Sequence, residues 1–429
     1  MERHVPFEAP QEIIDEIVDL CSEDKKTLKA CSLTSRAWVY RTRKHLFWKI
    51  ILTDKSLPTW REIVLDPKPS TDSESQPQRP PASSSSYTSS WISSCVISLQ
   101  LVPKYYARRS NNFGPIQFFQ AKSHLHAFTS LKTLDLAAIS FTNLQDRGVS
   151  LVECFGPLAD TVRELKLSFC TLDEGSLFAF LRLFSNLDSL ELHGNRWYSS
   201  IPAVFWQKDP PSLRGSLTVS EITHANVDLL ETLVIASVQY HTIIIGYNET
   251  STIREFNVLF ESCKDHLERL ILTAPEAVSS YPCQSIPFRT RTRSGLRTFP
   301  AVYKENLDPS PCKKLVEVRG RFHHARFKMF ISVLNNITSP RFRKLTIFIT
   351  PPIPAVDPKE WGELETAVVA LATRVGATAG SDVLEVLISS YHTVLGGTKL
   401  CEIEGALPLI ASNSRVSLRT EYVPIPRDR

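Results

Sequence analysis

Long apolar runs are missing from this chain. Nothing in it approaches the roughly 18–20 residues that a membrane-spanning helix needs, and a typical clean run, Ala367 to Ala372, stops after a single strand's worth of residues. Glycine is scarce, 15 in 429 residues, while proline reaches 28. Phosphate loops of the G-x-x-x-x-G-K-[ST] and G-x-G-x-x-G kinds are absent, as are the G-x-S-x-G nucleophile elbow and the H-E-x-x-H zinc helix. Cysteine is sparse: nine residues with no C-x-x-C spacing. That excludes a disulfide framework or a cysteine zinc site, and predicts free thiols in a reducing, intracellular compartment. The sequons at Asn248 and Asn336 are then chance matches. Charge of one sign is missing as well, with 49 Lys and Arg against 45 Asp and Glu and a net charge of +4. No nucleic acid or membrane surface is expected as a partner. Met1 to Pro10 mixes acids with bases and carries no apolar stretch, so no secretory signal is expected there.

What is present is ordinary for a globular protein: 42% hydrophobic and 22% charged residues. The length allows roughly two to three domains, and the chain divides into three zones. The first, residues 7–53, is read as helical. Pro10 suits the start of a helix. Ile13, Ile14, Ile17, Val18 and Cys21 make one apolar stripe, while Glu12, Asp15, Glu16 and Asp19 cover the other face. Asp24 is placed to cap a second helix holding Leu28 and Cys31. A third helix is expected from about Ser35 to Phe47, with Trp38, Leu46 and Phe47 apolar and Arg36, Arg41, Arg43 and Lys44 polar. Three short helices make a small core, and a domain of that size often leans on a partner.

Residues 54–92 read as a linker, disordered around 66–90, where Ser, Pro and small polar residues exclude a packed core. A tether is the plain reading of its serines, and phosphorylation the sharper one. In the third zone, 93–425, the pattern apolar-x-x-apolar-x-apolar recurs: Val96, Leu99, Leu101; Leu131, Leu134, Leu136; Val162, Leu165, Leu167; Leu187, Leu190, Leu192. It continues as Leu267, Leu270, Leu272; Phe342, Leu345, Ile347; and Val383, Val386, Ile388. Weaker copies lie at 213–219, 241–245, 315–318 and 416–418. Helical stretches are expected at 173–184, 252–264, 323–336 and 358–375. The apolar alternation closing each motif is strand-like. One strand and one helix per unit of about 25–35 residues predict an α/β solenoid. Asn195 occupies the Asn position of a leucine-rich repeat, which most other units lack. Residues 274–311 break the repeat and read as a surface insertion. Its Arg289, Arg291, Arg293 and Arg297 are read as a solvated loop first and a grip for phosphate or an acidic partner second.

Ala9-Pro10-Gln11-Glu12-Ile13-Ile14-Asp15-Glu16-Ile17-Val18 resembles the opening of an F-box, a Leu-Pro-x-Glu followed by paired aliphatics. Thr27 to Trp38 is similar to its second half, with Leu-x-x-Cys-Ser-Leu and Arg-x-Trp, and Arg43 to Phe47 to its tail. The likeness covers about 45 residues. Ala9 stands where the family usually has Leu, and Thr34-Ser35 where Val-Cys is common. The layout resembles fungal-type F-box proteins with irregular leucine-rich repeats. The resemblance implies an N-terminal helical F-box followed by a leucine-rich-repeat-like α/β solenoid. It also implies docking on a Skp-type adaptor, and through it on a cullin–RING ubiquitin ligase. By the family match the adaptor-binding positions are Pro10, Ile13, Ile14, Ile17, Leu28, Leu33 and Trp38, although the same side chains can simply pack against one another. By analogy with solenoids, an unknown substrate protein is expected on the strand face, where Asp135, Lys166, Glu191, Ile271 and Thr346 point outward. No catalytic residue, metal or cofactor is implied. His124 and His126 lie two apart on an expected helix and so face apart, His323-His324 lack further ligands at a metal spacing, and Cys31 reads as a packing residue. The alternative is a protein-binding scaffold with a degenerate F-box and no ligase role.

Overall fold

The computed structural model describes residues 9–53, 56–60, 92–102, 125–141, 150–197, 214–220, 230, 233, 234, 239–246, 253–273, 306–322, 327–349, 358–379, 383–391, 405 and 407–423. They fall into two compact units, one drawn from 1–170 and 183–186, the other from 171–182 and 187–427. The linker at 66–90, the arginine run at 289–297, His124, His323 and His324 lie outside the described residues.

The first unit opens with α1 (Gln11–Leu20), α2 (Lys25–Thr34) and α3 (Arg36–Phe47). Asp24 caps α2, its carboxylate accepting from the N–H groups of Lys26 and Thr27. Pro10 stands just ahead of α1 as its cap residue. Next come β1 (Lys49–Thr53), α4 (Ser56–Trp60), β2 (Ser98–Val102), β3 (Thr133–Ala137), α5 (Leu151–Phe155) and β4 (Glu164–Ser168). The four strands pair in parallel in the order β1-β2-β3-β4. The sheet thus begins inside the range read as helical. Lys49–Thr53 alternates exposed and buried residues, a period of two.

The second unit holds β5 (Thr171–Leu172), α6 (Glu174–Leu183), β6 (Ser189–His193), β7 (Arg196–Trp197), β8 (Arg214–Ser220), β9 (Gln239–Gly246), α7 (Ile253–Ser262) and β10 (Arg269–Thr273). It continues with β11 (Glu317–Phe322), α8 (Lys328–Asn336), β12 (Lys344–Ile349), α9 (Pro358–Ala379), β13 (Leu384–Tyr391), α10 (Pro408–Ser412) and β14 (Val416–Val423). Eight strands, β6-β8-β9-β10-β11-β12-β13-β14, pair in parallel, and β5 pairs with β7. The fold is mixed α/β, built on parallel sheet with helices at the N-terminus.

Most strands of the two main sheets carry two aliphatics, two residues apart, that face a core. Leu134 and Leu136, Leu165 and Leu167, Leu270 and Leu272, and Val386 and Ile388 are all buried. Burying one such side chain contributes about 1.5–3 kcal/mol. Backbone bonds then lock neighbouring motifs together just before the strands: Lys132 N–H donates to Ile97 O, Arg163 N–H to Lys132 O, Val316 N–H to Glu268 O and Arg343 N–H to Val316 O. Two residues past the last motif leucine the chain turns through the left-handed region three times, at Ala138, Phe169 and Gly194, each with φ of 55°. One residue further on, Ile139, Cys170 and Asn195 are buried in turn. The Cys170 thiol donates to Leu136 O at 3.2 Å, and burial pushes its pKa up to about 12.

Three places depart from the expected motif. At Gly215, φ is +112° and a Cβ would lie 2.0 Å from Asp188 O, so only glycine fits this close approach; the β8–β9 register shifts there. Val383 is 47% exposed. β13 starts at Leu384, and the alternation Leu384, Val386, Ile388 takes the core face in place of the expected Val383, Val386, Ile388. In β11 the second core position is Gly320, where a Cβ would meet the Phe322 ring at 2.4 Å and the Phe330 ring at 2.8 Å. Those rings fill the aliphatic's place, edge to face with 5.1 Å between centroids. Gly320→Val should therefore overpack this core and destabilise the second unit by about 1–3 kcal/mol, read as a lower midpoint in urea unfolding of the full chain.

Candidate docking surfaces

Two surfaces have a geometry suited to binding.

The first is on the helices. Ile14, Val18 and Leu28 form their core, with Ala9, Cys21, Trp38 and Leu46 packed against it. The α1 stripe is therefore split. Ile14 and Val18 point into that core, whereas Ile13 is 50% exposed, Ile17 41% and Leu20 82%. These three lie at i, i+4 and i+7 and share one face. On α2, Leu28 is fully buried and Leu33 is 86% exposed. Of the seven positions named by the family resemblance, Pro10, Ile13, Ile17 and Leu33 are therefore open to solvent, Trp38 is half-buried, and Ile14 and Leu28 belong to the core. Those last two can support a docking face but do not present one. Cys31 is half-buried.

One polar network fixes α1 against α3. The Arg41 guanidinium grips the Asp19 carboxylate, Nε donating to Oδ1 at 2.6 Å and Nη2 to Oδ2. His45 Nε2 lies 2.7 Å from Oδ1, and the Gln11 side chain donates to Ala37 O at 3.1 Å. Arg41 first, then His45, holds the Asp19 carboxyl well below the usual carboxylate range. Asp19 is the acid that sequence reading assigned to the solvent face of α1, and Arg41 one of the polar residues of α3. The signal available was an acid in the last turn of α1 with Arg and His four residues apart on α3.

The second surface is the outward face of the sheet strands. In the first unit, Gln100, Asp135 and Lys166 stand in register. In the second, one row runs Glu191, Thr218, Ile244, Ile271, Arg319, Thr346, Leu387, Arg419. The expected positions Asp135 and Lys166 thus come together in one unit, and Glu191, Ile271 and Thr346 in the other. Asp135 is 7% exposed; it has the predicted row but not the predicted accessibility. Lys166, Glu191, Ile271 and Thr346 are half-buried. Sequence reading missed Arg319, between Ile271 and Thr346, because Gly320 breaks the motif of its strand. Arg319 binds Glu317 with Nε at 2.8 Å and Nη2 at 3.2 Å, and Arg269 Nε lies 3.8 Å from the same carboxylate. Along that neighbouring row Arg269, Glu317, Lys344 and Glu385 alternate in sign. The Arg321 guanidinium sits 5.3 Å over the Phe348 ring.

His193 Nδ1 and Ser220 Oγ are 2.7 Å apart on adjacent strands, the pairing a hydrolase nucleophile needs. Both are at most 2% exposed, so the pair cross-links β6 and β8 and is closed to a substrate. Among the described residues, no group of three His, Cys, Asp or Glu is placed to hold a metal, and no helix is long and apolar enough to cross a membrane. His126 is exposed in a short 3-10 turn. Neither a scan for protein-family models nor a search of curated proteins finds a match to this chain.

The Asp19 network makes a pH prediction. Its folded pKa is depressed, so its contribution is present above the unfolded value of about 3.9 and is lost as pH falls through and below it. Asp19→Asn should lower stability at pH 7 by about 1 kcal/mol or less, since the pair is partly exposed. The gap between parent and variant in thermal unfolding should narrow once pH falls below about 4.

Proposed function

We propose that this chain is a substrate-recognition adaptor of a cullin–RING (SCF-type) ubiquitin ligase. Its helices act as an F-box that docks on a Skp-type adaptor. Its sheet region is a leucine-rich-repeat-like solenoid whose strand face captures a substrate protein. The chain contributes binding, and ubiquitin transfer takes place on other subunits.

One observation carries the reading: the second apolar stripe of α1. Ile13, Ile17 and Leu20 stand exposed beside a core of three fully packed side chains, and the F-box resemblance assigns Ile13 and Ile17 to adaptor contact. A partner laying a helical groove over them would bury the surface that the small helical segment leaves open. The solenoid half rests on parallel pairing in register, on an aliphatic pair in most strands, and on the left-handed turn recurring at Ala138, Phe169 and Gly194. The scaffold alternative, in which the F-box has lost its adaptor, has its own support: Ala9 packs against the helical core with a single methyl where the family carries Leu.

Co-purification of the full-length chain with a Skp-type adaptor separates the two. The adaptor reading expects a stable complex, weakened more than tenfold by Ile17→Asp, because a charge would be desolvated at the contact. Circular dichroism of that variant should be unchanged, since Ile17 lies outside the core. A parent chain that fails to bind the adaptor sinks the ligase reading and leaves the scaffold.

A further inference from the structure

Ser-Pro occurs twice in the chain, at Ser310-Pro311 and Ser339-Pro340, and only the first has a basic residue at the third place after the serine, Lys313. Serine, then proline, with Lys or Arg at that third place, is the pattern that proline-directed kinases accept. Proline suits the place after the acceptor because it brings no N–H that the kinase would have to satisfy, and the base pairs with an acidic group of the enzyme.

The structure separates the two serines. Ser339 is 3% exposed. Its hydroxyl donates to Lys313 O at 2.8 Å and accepts from Arg341 N–H at 3.3 Å. That hydroxyl is spent on tying the segment ahead of β12 to the segment ahead of β11. Ser310 is half-buried and is held by its backbone instead. Its N–H donates to Asp308 Oδ1 at 3.0 Å, and its carbonyl accepts from Lys313 Nζ at 2.9 Å and from Thr338 Oγ1 at 2.8 Å. None of these bonds uses the hydroxyl. Residues 306–316 carry no helix or strand, so the sheet ladder does not hold the serine. Lys313 and Lys314 are exposed on the same turn.

We infer that Ser310 is a phosphorylation site for a proline-directed serine/threonine kinase. In the transfer, Ser310 Oγ attacks the γ-phosphorus of ATP. The bond from that phosphorus to the oxygen bridging it to the β-phosphate breaks, ADP leaves, and the hydroxyl proton passes to a carboxylate of the kinase. The turn suits the product. A phosphoserine carries a charge of about −1.5 to −2 at pH 7, and Lys313 Nζ already stands against the carbonyl of the same residue. Lys313 and Lys314 outnumber Asp308 there, so the new charge reverses the sign of the turn.

The test is incubation of the native full-length chain with ATP and a purified cyclin-dependent kinase, with phosphate located by tandem mass spectrometry. Phosphate should enter at Ser310 and not at Ser339, and Ser310→Ala should remove that signal. Lys313→Ala should slow incorporation at Ser310 by roughly two- to fivefold, the worth of one exposed ion pair, and Lys313→Arg, which keeps the charge, should restore the rate. A folded chain left unmodified at Ser310 overturns the inference, whether or not phosphate enters elsewhere. So does equal labelling of Ser339, or a rate at Ser310 that Lys313→Ala leaves unchanged.

Discussion

Parallel pairing is the constraint on which most of this molecule depends. Two parallel strands cannot be joined by a tight turn; the chain must leave the sheet and return before it can pair again. Between successive strands of each unit's parallel sheet the chain therefore makes a crossover, and several of these carry helices: α5, α7, α8, α9 and α10. The strands stay aligned because most carry their aliphatic pair at the same place and because backbone bonds tie the residues ahead of one strand to those ahead of the next. Alignment in turn sets whatever faces outward. Residues from distant parts of the sequence, such as Ile271, Arg319 and Thr346, become neighbours only because their strands share a register. The charge alternation of Arg269, Glu317, Lys344 and Glu385 follows from the same alignment. Like charges in those places would repel across each pair of strands.

The helical segment obeys a different economy. Its core holds few side chains, so α1 and α3 rely on a polar clamp, Asp19 with Arg41 and His45, to fix their crossing. The same smallness explains the exposed aliphatics. Three short helices have too little interior to enclose both halves of the α1 stripe. The half that stays outside is an apolar face looking for a cover, and the proposed adaptor would provide it. Within each unit the inner strands of the sheet need no such help, because each is covered on both edges by its neighbours.

Much of this was legible in sequence. All seven strong copies of the apolar motif are strands, and the weak copies are β8, β9, β11 and β14. Asp24 as a cap and α3 up to Phe47 could be read from local chemistry. β1 was hidden because Lys49–Thr53 follows a helix without a break in apolar content, and only its period of two distinguishes it. Gly320 concealed the shape of β11, because the aromatic rings that replace the missing aliphatic come from Phe322 and from another element, α8. Val383 was misassigned because motif spacing and strand alternation disagree there, and alternation wins. Which half of the α1 stripe faces out, and that Asp135 is covered, depend on tertiary packing that a periodic pattern does not encode. The Arg41 clamp is of the same kind: each residue is unremarkable alone, and the bond exists only because α1 crosses α3.

The central claim is that the exposed α1 stripe is a contact made for another protein. Amide hydrogen exchange of the full-length chain, alone and with a Skp-type adaptor present, addresses it most directly. The account predicts slower exchange across α1 and α2 on addition of the adaptor, with the strands from β6 to β13 unchanged. Unchanged exchange in α1 and α2, or protection confined to the sheet, would contradict it.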